Sequence, residues 1–308
     1  MEKQDLIFAF MPAYRGSETE ALLLVQSLRR FAGHLRNHPV WVLIPQELDT
    51  LSAPVRKALN DLGAELIPFD VDQETLGFWF GGKVIASAAA ESLAQDQADL
   101  LVWMDSDTLV LNEPTEFRLK AVKELGGCPV MLKNISSLYG EPVNRFWELI
   151  YRGCQTPAEN VFPLTTTVDE VRIRAQFNAG LLVVRPEKGI LRAWSANFRR
   201  LYREPQWKDF YKQGFLYHLF LHQAILAATI NAGMDRSEIQ LFSSRVNYPW
   251  FLHSRYPAAR RPTALNELLT CRYDEFRFFE KQDWRIILPV EEPLQGWLGE
   301  MVGSGGVS

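Results

Sequence analysis

The sequence predicts an α/β protein with a mostly parallel central sheet covered by helices on both faces, and three observations predict it. Short apolar runs alternate with helix-like segments through the first half of the chain. The runs are apolar along their length, as strands covered on both faces are, and the composition is that of an ordinary globular protein. Of 308 residues, 47% are hydrophobic and 23% charged, which excludes a disordered tail, a collagen and a disulfide miniprotein. Thirty-three basic residues against 37 acidic give a net charge of −4. No global field therefore draws the chain to phosphate backbones, and no nucleic-acid partner is expected.

The elements follow in order. Leu6 to Met11 reads as the first strand: Glu2 and Asp5 precede it, and it is too short for a signal-peptide core. Ser17 to Glu20 has the form of a capping box opening a helix to about Phe31. Val40 to Ile44 is the second strand, and a helix from about Ser52 to Leu62 stops at Gly63, whose freedom at positive φ suits a helix end. Ala64 to Phe69, a helix from about Lys83 to Ala94, and Leu100 to Met104 complete the regular half. Beyond it, Pro129 to Leu132 and Phe177 to Val184 read as strands. Helices are expected near Pro142 to Tyr151, Glu187 to Tyr202 and Leu216 to Ile230.

Gln155 to Thr167 reads as a surface loop able to act as a lid. Phe215 to Ile230, interrupted by His218, His222 and Gln223, falls short of the roughly 20 apolar residues of a span and reads as a buried helix, so no transmembrane segment is expected. Prolines 249, 257, 262, 289 and 293 make the rest irregular. The expected organisation is a main domain over 1–240, an extension over 241–302 packed on it, and a flexible tail over 303–308. Cys128, Cys154 and Cys271 fit neither a zinc spacing nor a disulfide framework, which points to a reducing, cytoplasmic setting.

The sharpest local signal is the run from Leu100 to Val110, in which an apolar strand delivers Asp105 and Asp107 at its carboxyl end, where open α/β sheets place ligands. Residues two apart on an extended segment point to one side, so both carboxylates can face one spot. Two like charges that close repel unless a cation sits between them. A hard divalent ion, Mg²⁺ or Mn²⁺, takes oxygen ligands and completes its shell with water and phosphates. The competing reading is that the pair only caps the turn after the strand.

Lys83 near the start of the preceding helix, Phe177-Asn178-Ala179-Gly180 at the start of a later strand, and Tyr14 after the first strand complete a set. This set, from about Leu6 to Thr229, resembles the glycogenin-like family 8 of retaining glycosyltransferases, on the nucleotide-sugar transferase A (GT-A) fold with its Rossmann-like sheet. The resemblance implies metal-dependent transfer of a sugar from a nucleotide-diphosphate sugar, such as a UDP-sugar, to a hydroxyl of a saccharide or other acceptor. It implies Tyr14 stacked on the base, Lys83 on the diphosphate, Asp105 near the ribose and the metal ion, Ser106 near the ribose, and Asp107 as direct metal ligand. Asn178 and Gly180 fall on its sugar-facing turn.

Three departures stand. Pro12 occupies the position that usually reads the base. His222-Gln223 stands where the family has Asp-Gln beside the acceptor; an imidazole can exchange hydrogen bonds with a sugar hydroxyl, yet a histidine in an apolar helix is also a common core residue. The family's late histidine segment is missing, which leaves His253, or Asp274 in the cluster Arg272-Tyr-Asp274-Glu275, to complete a metal shell. No carboxylate nucleophile stands out, so front-face displacement is expected. Two alternatives remain open: a haloacid-dehalogenase-like phosphohydrolase with Asp105 as nucleophile, and a non-catalytic nucleotide-sugar-binding protein.

Overall fold

The computed structural model describes residues 3–12, 18–46, 51–281 and 283–303. The expected alternation is present as β1 (Gln4–Met11), α1 (Glu18–Phe31), β2 (Val40–Pro45), α2 (Ala53–Asp61), β3 (Ala64–Phe69), α3 (Gln73–Gly77), α4 (Gly81–Ala94) and β4 (Ala98–Asp105). The middle of the chain forms β5 (Thr108–Val110), β6 (Leu125–Pro129), α5 (Arg145–Gly153), β7 (Pro163–Thr165), β8 (Arg172–Arg174), β9 (Phe177–Val184), α6 (Ile190–Leu201), α7 (Trp207–Gln213) and α8 (Phe215–Gly233). The last part comprises β10 (Ile239–Leu241), β11 (Tyr248–Pro249), β12 (Thr270–Arg272), α9 (Arg277–Lys281), α10 (Trp284–Ile287) and α11 (Leu294–Gly303).

Seven strands form the main sheet in the order β10-β6-β9-β4-β1-β2-β3. β4, β1, β2 and β3 run parallel, and β9 runs antiparallel to both β4 and β6. Met11 pairs with Asp105, so β1 and β4 end at the same edge. Because β9 runs the other way, its first residues, Phe177 to Gly180, start at that edge.

Alternate residues of each central strand enter different cores, as a two-residue period requires. Ile7, Ala9, Leu101 and Trp103 join the core under α4, α6 and α8, while Leu6, Phe8, Phe10, Val102 and Met104 join the core under α1 and α2. This two-sided burial explains the continuously apolar runs. Every residue of α8 from Leu221 to Asn231 is buried, and the helix packs on α5, α6, α7 and β9. Its 19 residues are long and apolar enough to cross a membrane by composition, but more than half of the helix is buried inside the protein, as in a core helix.

Several expectations shift. The strand expected over Pro129 to Leu132 lies earlier, at Leu125–Pro129, because Gly126 and Gly127 carry no apolar side chain to announce it. The end of the expected loop over Gln155 to Thr167 is β7, which pairs antiparallel with β8, so that part is a hairpin arm rather than a free lid. β5, β11 and β12 form a small second sheet that the sequence did not reveal. β10 crosses the expected boundary at 240/241 and pairs with β6, so the main sheet draws on both sides of it. From Trp250 on, a third core of Tyr273, Phe279, Trp284 and Trp297 packs on Leu23 of α1 and Leu109 of β5. Tyr14, Ser17 and the tail residues 304–308 lie outside the described residues, whereas Gly303 ends α11.

Candidate active site

Four charged side chains meet at the carboxyl edge of β4. Asp105 ends that strand, and Asp107 follows in the turn that leads into β5. Lys83 comes from the first turn of α4, which starts hard against α3: a Cβ on Gly81 would lie 2.1 Å from the Thr75 carbonyl oxygen. Only glycine allows that approach. Lys83 Nζ donates to Asp105 Oδ1 at 2.7 Å and to Oδ2 at 2.9 Å.

Arg272 arrives from the far end of the chain. β12 pairs antiparallel with β5 so that Arg272 lies opposite Thr108, and Tyr273 N donates to the Asp107 carbonyl at 3.2 Å. The guanidinium forks onto Asp107, Nε donating to Oδ1 at 3.0 Å and Nη2 to Oδ2 at 2.7 Å. The same Nη2 stands 3.2 Å from Asp105 Oδ2. A continuous chain of ion pairs thus runs Lys83–Asp105–Arg272–Asp107. All four side chains are nearly closed off, at 11%, 13%, 16% and 6% exposure in that order.

Electrostatics follow from that closure. Burial opposes ionisation of Asp105, but the attraction of Lys83 and then Arg272 outweighs it and holds the carboxyl below its ordinary range. Burial likewise works against the Arg272 charge, and Asp107 and Asp105 outweigh it, so the guanidinium lies above its ordinary value. Burial lowers Lys83. His222 is pushed down to about 3 by burial and by Lys83, so its imidazole is neutral at physiological pH. Its Nδ1 pairs with the Leu219 carbonyl at 3.0 Å. A carbonyl only accepts, so the ring proton sits on Nδ1 and Nε2 is left as an acceptor.

Around this cluster the structure brings together Lys83, Asp105, Asp107, Asn178, Gly180, His222 and Gln223. Asn178 Oδ1 accepts from Gly180 N at 2.8 Å, and Gln223 Oε1 accepts from Ala179 N at 3.1 Å, which fixes the start of β9. Phe80 joins two of the group, its ring centroid 4.7 Å from that of His222 and 4.8 Å from Lys83 Nζ. The Ser106 hydroxyl donates to Glu20 Oε2 at 3.2 Å, and Glu20 Oε1 accepts from Phe276 N at 3.0 Å. Glu20, expected only as a helix cap, therefore ties the turn to the C-terminal segment. Tyr14 lies outside the described residues.

The expected metal shell does not assemble. His253 Nδ1 pairs with the Tyr248 hydroxyl at 2.8 Å. Asp274 acts on Asp107 and Arg272 through its charge. Among the described residues, no three His, Cys, Asp or Glu side chains gather into a group that could hold a metal ion. The oxygens expected to grip a divalent cation grip a guanidinium, and a second cation at that point would meet its charge at contact distance. These residues do not fit the expected Mn²⁺ or Mg²⁺.

Arg272 is the member of this cluster that the sequence alone undervalues. There it is only one member of a polar cluster whose aspartate draws the metal assignment. The available signal is a lone arginine between the apolar Cys271 and Tyr273, both fully buried.

Gly180 is where the cluster tolerates least change. A Cβ there would lie 2.5 Å from Asp105 Oδ2 and 2.8 Å from Arg272 Nη1. Gly180→Ala is expected to cost about 1–3 kcal/mol of stability and to weaken ligand binding at this edge. A urea melt matching wild type would show that the close approach does not exist.

The family model described as "Rhodobacterales glycosyltransferase domain" matches residues 11–233, more than half of the chain. The chain belongs to this glycosyltransferase family. The transferase carries Lys83, Asp105, Asp107, Gly180 and His222 inside the matched span, and Arg272 beyond it. Membership makes it a transferase enzyme and sets the phosphohydrolase reading aside. Its fold is similar to that of the galactosyltransferase LgtC in complex with donor and acceptor sugar analogs, at 17% identity over 99% of this chain and 96% of that one, with a TM-score of 0.50. An active-site mutant of LgtC gives 16% identity, the same coverage and a TM-score of 0.50. The apo form of mouse xyloside xylosyltransferase 1 gives 13% identity over 89% of this chain and 98% of that one, with a TM-score of 0.47. The LgtC likeness establishes the GT-A fold. No curated protein matches the chain significantly.

Proposed function

We infer that the transferase moves a sugar from a nucleotide-diphosphate sugar, with uracil as the base, to a hydroxyl of a saccharide or similar acceptor, retaining the anomeric configuration as family 8 enzymes do. The observation that carries this reading is the pair of buried cations, Lys83 and Arg272, at the carboxyl edge of the sheet. Breaking the glycosidic bond leaves negative charge on the nucleoside diphosphate, and fixed donors in a water-poor site stabilise that charge without reorganising. The Mn²⁺ or Mg²⁺ that the resemblance implies would supply the same stabilisation, but its place between Asp105 and Asp107 is filled by the guanidinium.

Both carboxylates are engaged in ion pairs, which favours front-face displacement over a covalent glycosyl-enzyme, the other route to retention. His222 Nε2, a neutral acceptor beside Lys83, suits a hydrogen bond from a sugar hydroxyl. Trp79, Phe80 and Phe215 present exposed rings next to it, and we place the acceptor against them.

A panel of UDP-, GDP-, ADP- and CDP-sugars, assayed for nucleoside diphosphate release with and without saccharide acceptors, tests the reading. Release from a UDP-sugar, accelerated by an acceptor, is expected. Nucleotide binding without turnover of any donor on the panel would overturn it.

A further inference from the structure

We propose that Arg272 is a built-in replacement for the divalent cation, so that this transferase binds its diphosphate without metal. The inference depends on the sugar-transfer reading for the identity of the ligand, but not for the identity of the cation. Arg272 Nη2 lies 2.7 Å from Asp107 Oδ2 and 3.2 Å from Asp105 Oδ2, the location that an ion bridging the two carboxylates would take. A magnesium ion needs oxygens at about 2.0–2.1 Å in a near-octahedral shell. Here Asp107 already accepts a two-pronged fork, and Asp105 accepts from Lys83 through both oxygens and is ion-paired with Arg272.

The charges balance in the same way. One divalent ion neutralises two carboxylates, and so do one guanidinium and one ammonium. Unlike a bound ion, the guanidinium cannot be lost by dilution or chelation, and it holds its proton at any working pH.

Nor is it a loose arm that a metal could push aside. Its strand is paired to β5 at Thr270, Cys271 and Arg272 in succession, and the residues on either side, Cys271 and Tyr273, are fully buried. Expelling the guanidinium would mean breaking that pairing or leaving a charge without a partner in the core.

The fork also leaves donors over. Arg272 bonds through Nε and Nη2, and Nη1 has no hydrogen-bond partner among the described residues. Its two N–H groups face the start of β9, where a Cβ on Gly180 would be 2.8 Å away. Guanidinium N–H groups suit phosphate oxygens in geometry and charge. Arg272 thus holds the acidic pair with one edge and offers the other to a diphosphate.

The test titrates Mn²⁺ alone into the intact protein by calorimetry, then titrates UDP and GDP in EDTA and in excess Mn²⁺. No Mn²⁺ binding is expected, and nucleotide affinity is expected to agree within about twofold between the two conditions. Arg272→Gln removes the charge and leaves a shorter, neutral polar side chain. It is expected to gain a Mn²⁺ site and to bind nucleotide about tenfold more weakly in EDTA than in Mn²⁺. Arg272→Lys keeps the charge and should stay insensitive to EDTA, and it serves if the glutamine variant fails to fold. Stoichiometric Mn²⁺ binding by wild type, or an EDTA penalty of about tenfold, would overturn the proposal. Should neither nucleotide bind in either condition, the sugar-transfer reading falls, and the Mn²⁺ titrations of wild type and variant still decide the cation.

Discussion

Asp107→Asn is expected to lower the free energy of unfolding by about 3 kcal/mol at pH 7, the low end of what breaking a buried ion pair costs. Read from the sequence, this substitution removes a metal ligand at a turn and leaves the fold untouched. The structure changes that expectation, because Asp107 is the main counter-charge of a guanidinium that fastens the C-terminal segment to β5. Three contacts at 2.7–3.2 Å join them, and Asp107 is only 6% exposed. An asparagine can accept with one atom but turns an amino group toward the other prong. Arg272 then keeps Asp105, already shared with Lys83, and the weaker attraction of Asp274. Urea unfolding with linear extrapolation measures the loss, and a change below about 1 kcal/mol would mean that the fork contributes no more than an exposed ion pair does.

The division between what could and could not be read from the sequence has a physical basis. β1, β4 and β9 were legible because a strand buried on both faces is apolar along its whole length, and Phe177–Val184 is apolar at nearly every position. Asp105 and Asp107 were legible because they punctuate the carboxyl end of an apolar strand, whereas Lys83 and Gly180 stood out through the family resemblance. β5 and β12 were not, since three residues carry no periodicity. Their pairing joins positions about 160 residues apart, and the fork itself spans 165. Electrostatics correctly demanded a cation between two close carboxylates. It could not say that the cation would be a side chain, because no local pattern places Arg272 opposite Thr108. Glu20 escapes a sequence reading for the same reason: as a helix-start acid it is unremarkable, and only the folded chain sets it between Ser106 and Phe276.

Lys83→Met is expected to reduce kcat by about 10²–10³-fold, the range seen when one fixed donor to a developing anion is removed. Methionine matches the length and apolar stem of lysine, so the buried path beside Phe80 stays filled while the charge disappears. Two effects then separate. The leaving diphosphate loses one of its two fixed cations, which lowers kcat, and Asp105 is left with Arg272 alone, which costs stability. A thermal melt reads the second effect, and saturation kinetics read the first. Burial lowers the Lys83 pKa from its ordinary 10.5. The charged form is the useful one, so wild-type activity should fall on the alkaline side at a pH below that value. Lys83→Met should lack this limb altogether, and Lys83→Arg, which cannot titrate in that range, should shift it upward while recovering much of kcat. A purely structural lysine would give a lower melting temperature in the methionine variant with an unchanged kcat and an unaltered alkaline limb, and that combination would remove Lys83 from the reaction.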